Sequence, residues 1–390
     1  MSLVWILAVL AALAVCLAWS CLAARLIGRR HAYAFLGPDS TTVDQPPRID
    51  AIIPARDEEE HLEATLRGLA SQDFPDLAMI VVDDQSSDRT AKIAESLADR
   101  LGAPIRLVRG VERPAGWVGK TWAVHQGVET STADWIWFVD ADMTLHPRAL
   151  ATAMNLARLH GSDCVSLFPR PVCRTFWQAT IATSFLQILA QLYPFDRVND
   201  PSNPEAVAAG GFILVRRSVY LDIGGHESVR GEIVEDIQLA RRIKRGGFRL
   251  TVALAPELAR THMYGSLAAI GRGLRKNAYA GMDYIFYKFA FGLIFGVLMA
   301  WTPLVTLVAG LGFGNLVLIG LGAWGMLAQA AASYPTTRFL GVSPLYAFAF
   351  PAGISAYMAI AASSVWQYHR GGTVWKGRRF EATHDELGAR

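Results

Sequence analysis

Charge is what this chain has least of. Asp, Glu, Lys and Arg make up 18% of its 390 residues, against roughly 25% in an ordinary soluble protein. The two signs nearly cancel and leave a formal charge of +3, too slight for a nucleic-acid-binding surface. Cysteine is scarce as well. Cys16, Cys21, Cys164 and Cys173 show neither a close metal-ligand spacing nor a disulfide framework, so a reducing cytosolic face is permitted. The first two lie in an apolar segment as ordinary packing residues. Apolar side chains fill the place of charge. They make up 52% of the chain, which points to a mixed protein, part soluble and part in lipid.

Those apolar residues gather at the two ends. Residues 3–26 carry no charge before Arg25, a run long enough to span a bilayer as a helix. Arg25, Arg29, Arg30 and His31 follow and set that end on the cytoplasmic side, with the N-terminus outside. No basic region precedes Leu3, so an uncleaved anchor is expected rather than a signal peptide. Towards the other end, Arg272, Arg275 and Lys276 alternate with apolar residues in helical register, which suits an interfacial amphipathic helix. Three further membrane segments are expected near residues 289–308, 316–332 and 345–366, and a basic tail with His369, Arg370, Lys376, Arg378 and Arg379 follows. These expectations conflict. An outside N-terminus and four crossings leave the basic tail outside, against the positive-inside tendency. Residues 289–308 are the suspected exception, because Pro303 would bend them into a re-entrant or interfacial piece. The expected organisation is an anchor (1–30), a Gly- and Pro-bearing linker (31–47), a soluble domain (48–260), an interfacial region (261–288), membrane helices (289–367) and a cytoplasmic-type tail (368–390).

Within the soluble part, short apolar runs alternate with helical patterns. Strands are expected at residues 49–55, 78–82, 105–108 and 135–139, with helices between them. That alternation is the pattern of a mostly parallel sheet covered on both faces. Two of the runs end in paired acids: Val82-Asp83-Asp84 and Val139-Asp140-Ala141-Asp142. In a strand, Asp140 and Asp142 would point the same way. At the carboxyl end of a parallel strand they would reach the crevice where α/β sheets bind ligands. Two oxygen-bearing groups there suit a hard divalent cation such as Mg2+ or Mn2+; the alternative is a surface turn. Glu235-Asp236 opens a later helix, where an acid pair also has a purely structural use beside the helix dipole. Gly210-Gly211 opens a strand and either lets backbone approach a ligand or makes a turn. Lys120 follows a glycine-bearing loop, Gly116-Trp117-Val118-Gly119; it is either a phosphate-facing cation or a solvated lysine. His125, His226 and His262 read as structural residues.

In order and spacing, Pro54-Ala55-Arg56-Asp57-Glu58, Val82-Asp83-Asp84-Gln85-Ser86-Ser87-Asp88, Lys120-Thr121-Trp122-Ala123, Asp140-Ala141-Asp142 and Glu235-Asp236 resemble family 2 glycosyltransferases of the GT-A fold. The resemblance covers about residues 48–260. The Gly116–Lys120 loop, the single leading anchor, the trailing membrane segments and Trp375-Lys376-Gly377-Arg378 look more narrowly like the hopene-associated glycosyltransferases found with bacterial hopanoid genes.

The resemblance implies a GT-A nucleotide-diphospho-sugar transferase domain. It implies a divalent metal (Mg2+ or Mn2+) on Asp142 with Asp140 close by, and a nucleotide-sugar donor, a UDP-sugar, held by Asp57, Asp84, Lys120, Asp140, Gly210 and Gly211. Asp57 has a second reading as a helix N-terminal acid. Asp236 would be the catalytic base, and Glu235 beside it would raise its proton affinity; the reaction would be a one-step displacement with inversion. His125 stands where many relatives have Asn. The Gln-x-x-Arg-Trp signature of processive synthases is absent, which argues for transfer of a single sugar.

The expected acceptor is a membrane lipid: a hopanoid or other isoprenoid, with polyprenyl phosphate, carotenoid and glycerolipid as alternatives. The expected place is the bacterial inner membrane, multi-pass, with the catalytic domain facing the cytoplasm. The reading from another class is an inactive scaffold or transport protein carrying a nucleotide-sugar fold. The membrane segments lack the intramembrane charge pair that an ion pathway usually needs.

Overall fold

The computed structural model describes residues 3–29, 31, 33–39, 41–262, 266–282, 284–370, 373–375 and 378–380. Arg30, Lys376 and Gly377, singled out above, lie outside the described residues. In chain order the elements begin with α1 (Leu3–Gly28), β1 (Ile49–Ala55), α2 (Leu62–Ala70), β2 (Leu77–Asp83), α3 (Thr90–Leu101), β3 (Ile105–Arg109) and α4 (Gly119–Glu129). Next come β4 (Trp135–Val139), β5 (Met143–Leu145), α5 (Ala149–His160), β6 (Cys164–Phe168), β7 (Arg170–Pro171), α6 (Phe176–Leu192) and α7 (Phe195–Val198). They are followed by β8 (Phe212–Arg216), α8 (Arg217–Asp222), α9 (Glu235–Arg245), β9 (Leu250–Leu254), β10 (Ala259–Thr261) and α10 (Leu267–Ala278). Last are α11 (Phe286–Phe313), α12 (Leu316–Leu340), a 3-10 segment (Pro344–Ala349), α13 (Phe350–His369) and the short strands β11 (Thr373–Trp375) and β12 (Arg378–Phe380).

These elements form two compact units, residues 34–172 with 193–263 and 371–390, and residues 1–33 with 173–192 and 264–370. The first is built on a seven-stranded sheet in the order β3-β2-β1-β4-β8-β6-β9. β1 runs parallel to both β2 and β4, and β2 to β3. The buried strands keep their two-residue alternation although both faces are covered. Ile49, Ala51 and Ile53 of β1, with Trp135 and Trp137 of β4, join Leu62 and Leu66 of α2 and Leu150 of α5 in one core. The alternate residues meet α4. A side chain at Gly127 would come within 2.7 Å of Ile52 and 2.9 Å of Val82, so α4 lies against β1 and β2 at a spacing that only glycine permits.

Two reversals of direction shape the carboxyl end of β4. β8 is antiparallel to β4, with Phe212 opposite Val139, so Gly210-Gly211 sit beside the place where β4 ends. β10 is antiparallel to β5, with Thr261 opposite Met143, which brings the end of β10 to the turn after β4. That turn corrects one expectation. β4 stops at Val139, and Asp140 and Asp142 lie in the connection to β5 rather than alternating along a strand. A turn at Ala141–Asp142 takes the chain out of the seven-stranded sheet and into the separate β5-β10-β7 sheet, so β4 does not continue through it.

The second unit comprises α1, α6 and α10–α13. It contains four helices long and apolar enough to cross a membrane: Trp5–Gly28, Phe286–Phe313, Leu316–Leu340 and Pro344–His369. α11 continues through Pro303 and α12 through Pro335, so neither proline ends its helix. α6, a strongly apolar helix within the 48–260 region, groups with this apolar unit. Its buried polar side chains explain why: Gln187 receives a hydrogen bond from Ser333 of α12 at 2.7 Å, and Ser184 donates to Phe350 O at the start of α13 at 3.5 Å.

Candidate active site

Lys120, in the first turn of α4, is the hub of the site. Its Nζ lies 2.7 Å from Asp140 Oδ1 and 2.9 Å from Glu235 Oε1. One ammonium thus joins the end of β4 to the first turn of α9. Burial by itself would lower the lysine's pKa; Asp140 and Glu235, with Asp236 behind them, more than reverse this and hold it well above the usual value. The lysine therefore stays charged.

Asp236 is the second residue of α9. Its Oδ2 accepts the Gly210 N–H at 3.0 Å and its Oδ1 accepts its neighbour's, Ile237 N–H, at 2.9 Å. Burial and then the Glu235 charge raise its carboxyl to about 6, against the pull of Lys120 and the two N–H donors. A side chain at Gly210 would come 3.1 Å from Lys120 Nζ and 3.2 Å from Asp236 Oδ2. The absent Cβ is what lets this backbone close over the pair. Gly211 stands in the same relation to Met143 Sδ at 3.0 Å and Asp140 Oδ2 at 3.6 Å.

Asp142 is raised to about 7 by burial first and then by the Asp140 and Glu58 charges, with Thr261 and Lys120 pulling the other way. Thr261 Oγ1 donates to its Oδ2 at 3.2 Å, and His262 N–H to its carbonyl at 3.0 Å. Pro54, Lys120, Phe138, Asp140, Gly210, His226, Glu235 and Asp236 all line one hollow.

Asp57 and Asp84 form a second group, at the ends of β1 and β2. Asp57 Oδ1 accepts from Ser87 N–H at 2.8 Å and Ser87 Oγ at 3.1 Å, while Asp57 N–H donates to Ser86 Oγ at 3.0 Å. Its φ of 50° is in the left-handed region, so it is a loop residue tying two strand ends together and not a helix N-terminal acid. Asp84 is buried, and Arg56 reaches both its carbonyl at 2.6 Å and its carboxylate at 4.0 Å. Asp83 accepts from Ser86 N–H at 3.2 Å and faces Arg109 at 3.7 Å, holding the turn.

Residues 50–224 match the family model described as Glycosyl transferase family 2. The chain is a glycosyltransferase with a family 2 domain. It is similar to the 4,4'-diaponeurosporenoate glycosyltransferase of Staphylococcus aureus (strain USA300), with 26% identity over 340 residues, 86% of this chain and 88% of that one. It is also similar in fold to the mannosyltransferase PcManGT of Pyrobaculum calidifontis, solved in complex with GDP-Man and Mn2+. The TM-score is 0.57 at 19% identity, over 92% of this chain and 99% of the other. The fold of the domain is GT-A.

Whether this glycosyltransferase's residues suit a divalent cation can be judged from their chemistry. Among the described residues no group of three or more His, Cys, Asp or Glu side chains is placed to hold a metal. Asp142 and Asp140 are neighbouring carboxylates, and burial first, then the Asp140 and Glu58 charges, disfavour a charged Asp142, a penalty that a cation would relieve. Such a pair fits Mg2+ or Mn2+, which bind through one or two carboxylates and leave positions for phosphate oxygens and water.

The sequence reading missed Glu58, Thr261 and His226 as members of the site. Glu58 was visible within its motif, but its influence on Asp142 depends on the β4 turn. Thr261 is brought in by the β5–β10 pairing, which carries no local sequence signal. His226 has a structural setting: Tyr220 OH lies 3.0 Å from its Nδ1 and accepts its backbone N–H at 2.8 Å. Burial first, with Lys120 and His125 adding, lowers it to about 3, so it is neutral and keeps a second positive charge away from Lys120. His125 sits among aromatic rings, 4.8 Å from Trp117 and 5.5 Å from Trp122.

Proposed function

We propose that this protein is a membrane-bound inverting glycosyltransferase that moves a single sugar from a nucleotide-diphosphate donor to an isoprenoid lipid. The observation that carries this reading is the convergence of Asp236, Lys120 and Asp140 on one hollow at the end of β4. Asp236, raised to about 6, is ionised at neutral pH yet basic enough to accept a proton. It takes the proton of the acceptor hydroxyl as that oxygen bonds to the anomeric carbon and the bond to the diphosphate breaks; the nucleoside diphosphate leaves. Displacement in one step inverts the anomeric centre.

Lys120 places a fixed positive charge beside the departing diphosphate, and Glu235 holds that lysine in position from the far side. Asp142 and Asp140 would hold a divalent cation, which supplies charge neutralisation to the leaving group when bound. Asp57 and Asp84, at the ends of neighbouring parallel strands, would hold the nucleoside. UDP-sugars are the first donor series to assay.

The four long apolar helices support a lipid-facing enzyme. The acceptor proposed first is a hopanoid. A carotenoid is the second reading, favoured by the Staphylococcus aureus relative named for diaponeurosporenoate. Purified full-length protein with Mg2+ or Mn2+, radiolabelled sugar nucleotides and separate hopanoid and carotenoid acceptors tests both. Transfer to neither acceptor, with donor hydrolysis intact, would rule out the isoprenoid reading; absence of any donor turnover would rule out the catalytic assignment.

A further inference from the structure

The end-to-end pairing of the apolar helices decides how many of them cross. Trp5, at the start of α1, rests edge-on against Phe313, at the end of α11, with ring centroids 5.6 Å apart. Trp19 Nε1 donates to Met299 O at 3.0 Å, so α1 and α11 run antiparallel over matched lengths. α12 returns beside α1 in the same direction. Cys16 Sγ donates to Leu321 O at 3.2 Å, and Trp324 Nε1 to Ser20 Oγ at 3.0 Å. Three helices therefore extend from one end of the bundle to the other.

α13 does not match them. Its first residue, Phe350, sits against Trp19, with centroids 5.3 Å apart, and clusters with Ala300, Ala328 and Ala332, residues in the interiors of α11 and α12. From there it descends. Ser355 accepts from Trp301 Nε1 at 2.8 Å, Ser364 Oγ accepts from Tyr279 N–H at 3.3 Å, and Tyr368 stacks on Tyr284 at 4.9 Å. The helix thus runs from the middle of the bundle to the end where α11 begins. Beyond Ala332, α12 continues to Leu340, about 12 Å at 1.5 Å per residue. The 341–349 connection must therefore turn back inward to deliver Phe350 to that level, and Gly341, with φ of 66°, makes the turn.

We infer that the chain crosses the membrane three times, and that residues 341–369 form a re-entrant limb that enters and leaves on the same side. That side is where α1 hands the chain to the catalytic domain. The distribution of charge agrees. Arg25, Arg29, Lys288, Arg338 and Arg370 all lie at this end, whereas residues 3–8 and 310–318 at the other carry no charged side chain. Basic residues favour the cytoplasmic side, so the tail beyond Arg370 is cytoplasmic. The conflict raised by four crossings disappears, and α11 is a full crossing rather than the exception.

Cysteine labelling tests this on the full chain, with Cys16, Cys21, Cys164 and Cys173 replaced by alanine. One cysteine is then added at a time: Gly312→Cys, Val342→Cys, or a cysteine appended after Arg390. A membrane-impermeant maleimide applied to intact and permeabilised cells reads the side. The expected result is full labelling of Gly312→Cys in intact cells, with loss of labelling for the other two until permeabilisation. A tail labelled in intact cells would restore four crossings and overturn the inference. Val342→Cys labelled from outside, with Gly312→Cys protected, would make α11 the exception and overturn it as well. Release of the unsubstituted protein by carbonate would overturn the placement in the membrane itself. None of these readouts depends on sugar transfer, so failure here is distinct from failure of the proposed reaction.

Discussion

The two units bury polar side chains in opposite ways. In the catalytic unit the polar groups gathered at the site are charged, Glu235 buried and the others half-buried, and they are held together across elements: Lys120 between Asp140 and Glu235, and Asp236 on the Gly210 N–H. Their pKa values are displaced, Asp236 to about 6 and Asp142 to about 7. In the apolar unit the fully buried polar residues among those described are neutral. Ser333 donates to Gln187 Oε1 at 2.7 Å, and Gln329 Nε2 donates to Ala300 O at 3.1 Å. Charge concentrated in a hollow opposes folding but is ready for a ligand of opposite sign. Neutral amides and hydroxyls between helices add specificity at little penalty. Damage to the first should abolish chemistry and spare the fold; damage to the second should do the reverse.

The largest expected effect is at Asp236. Asp236→Asn keeps the shape and removes the proton acceptor, so transfer should fall by about 10²–10⁴ while calorimetry still shows donor binding. Equal loss of both would remove its role as base. Asp142→Ala should come next, abolishing the part of donor binding that Mg2+ or Mn2+ enhances; binding that still rises with added cation would place the ion elsewhere. Gly353→Leu probes the other unit. Its Cβ would lie 2.3 Å from Thr180 O, so the α6–α13 crossing must open, lowering stability by about 1–3 kcal/mol in thermal unfolding. Turnover per folded molecule should be unchanged, and a variant that melts like the parent would show that the crossing is not tight.

The pH profile sharpens the contrast further. A base raised to about 6 must lose its proton to act, so kcat/KM should fall about tenfold per unit below that value. For stability the sign is opposite to that of an ordinary carboxylate. Asp142 holds its proton more tightly folded than unfolded, so its contribution is full below the unfolded pKa and lost as pH rises through about 7. Divalent cation should abolish that loss in melts at pH 5 and pH 8; equal sensitivity with and without cation would count against Asp142 as ligand. The smallest effect is expected from Ser333→Ala, about 0.6 kcal/mol by analogy with interhelical hydrogen bonds in lipid.

Much of the site could be read in advance because its residues stand at the ends of continuous apolar runs. Trp135–Val139 and Leu77–Asp83 have the form of buried strands wherever they occur, and acids following them fall at a sheet edge. The ion triad could not be read, since Lys120, Asp140 and Glu235 meet only after β8 has reversed direction beside β4. Alternation along a strand misled for Asp140 and Asp142 because it presumes the strand continues. Hydropathy found all four long apolar helices, that of residues 344–369 included, but it carries no information on which helix each one packs against.

Composition and local pattern by themselves determined the division of this chain into strongly apolar and mixed parts, the α/β character of its middle and the residues with chemistry to offer. Each follows from transfer free energies and backbone periodicity, which act over a few neighbours. Only the tertiary structure decided which carboxylates meet at Lys120, which one leans on a glycine N–H, and which apolar helices pack against one another. Those outcomes depend on strand order and helix pairing between residues far apart in sequence, and local preference does not encode distance.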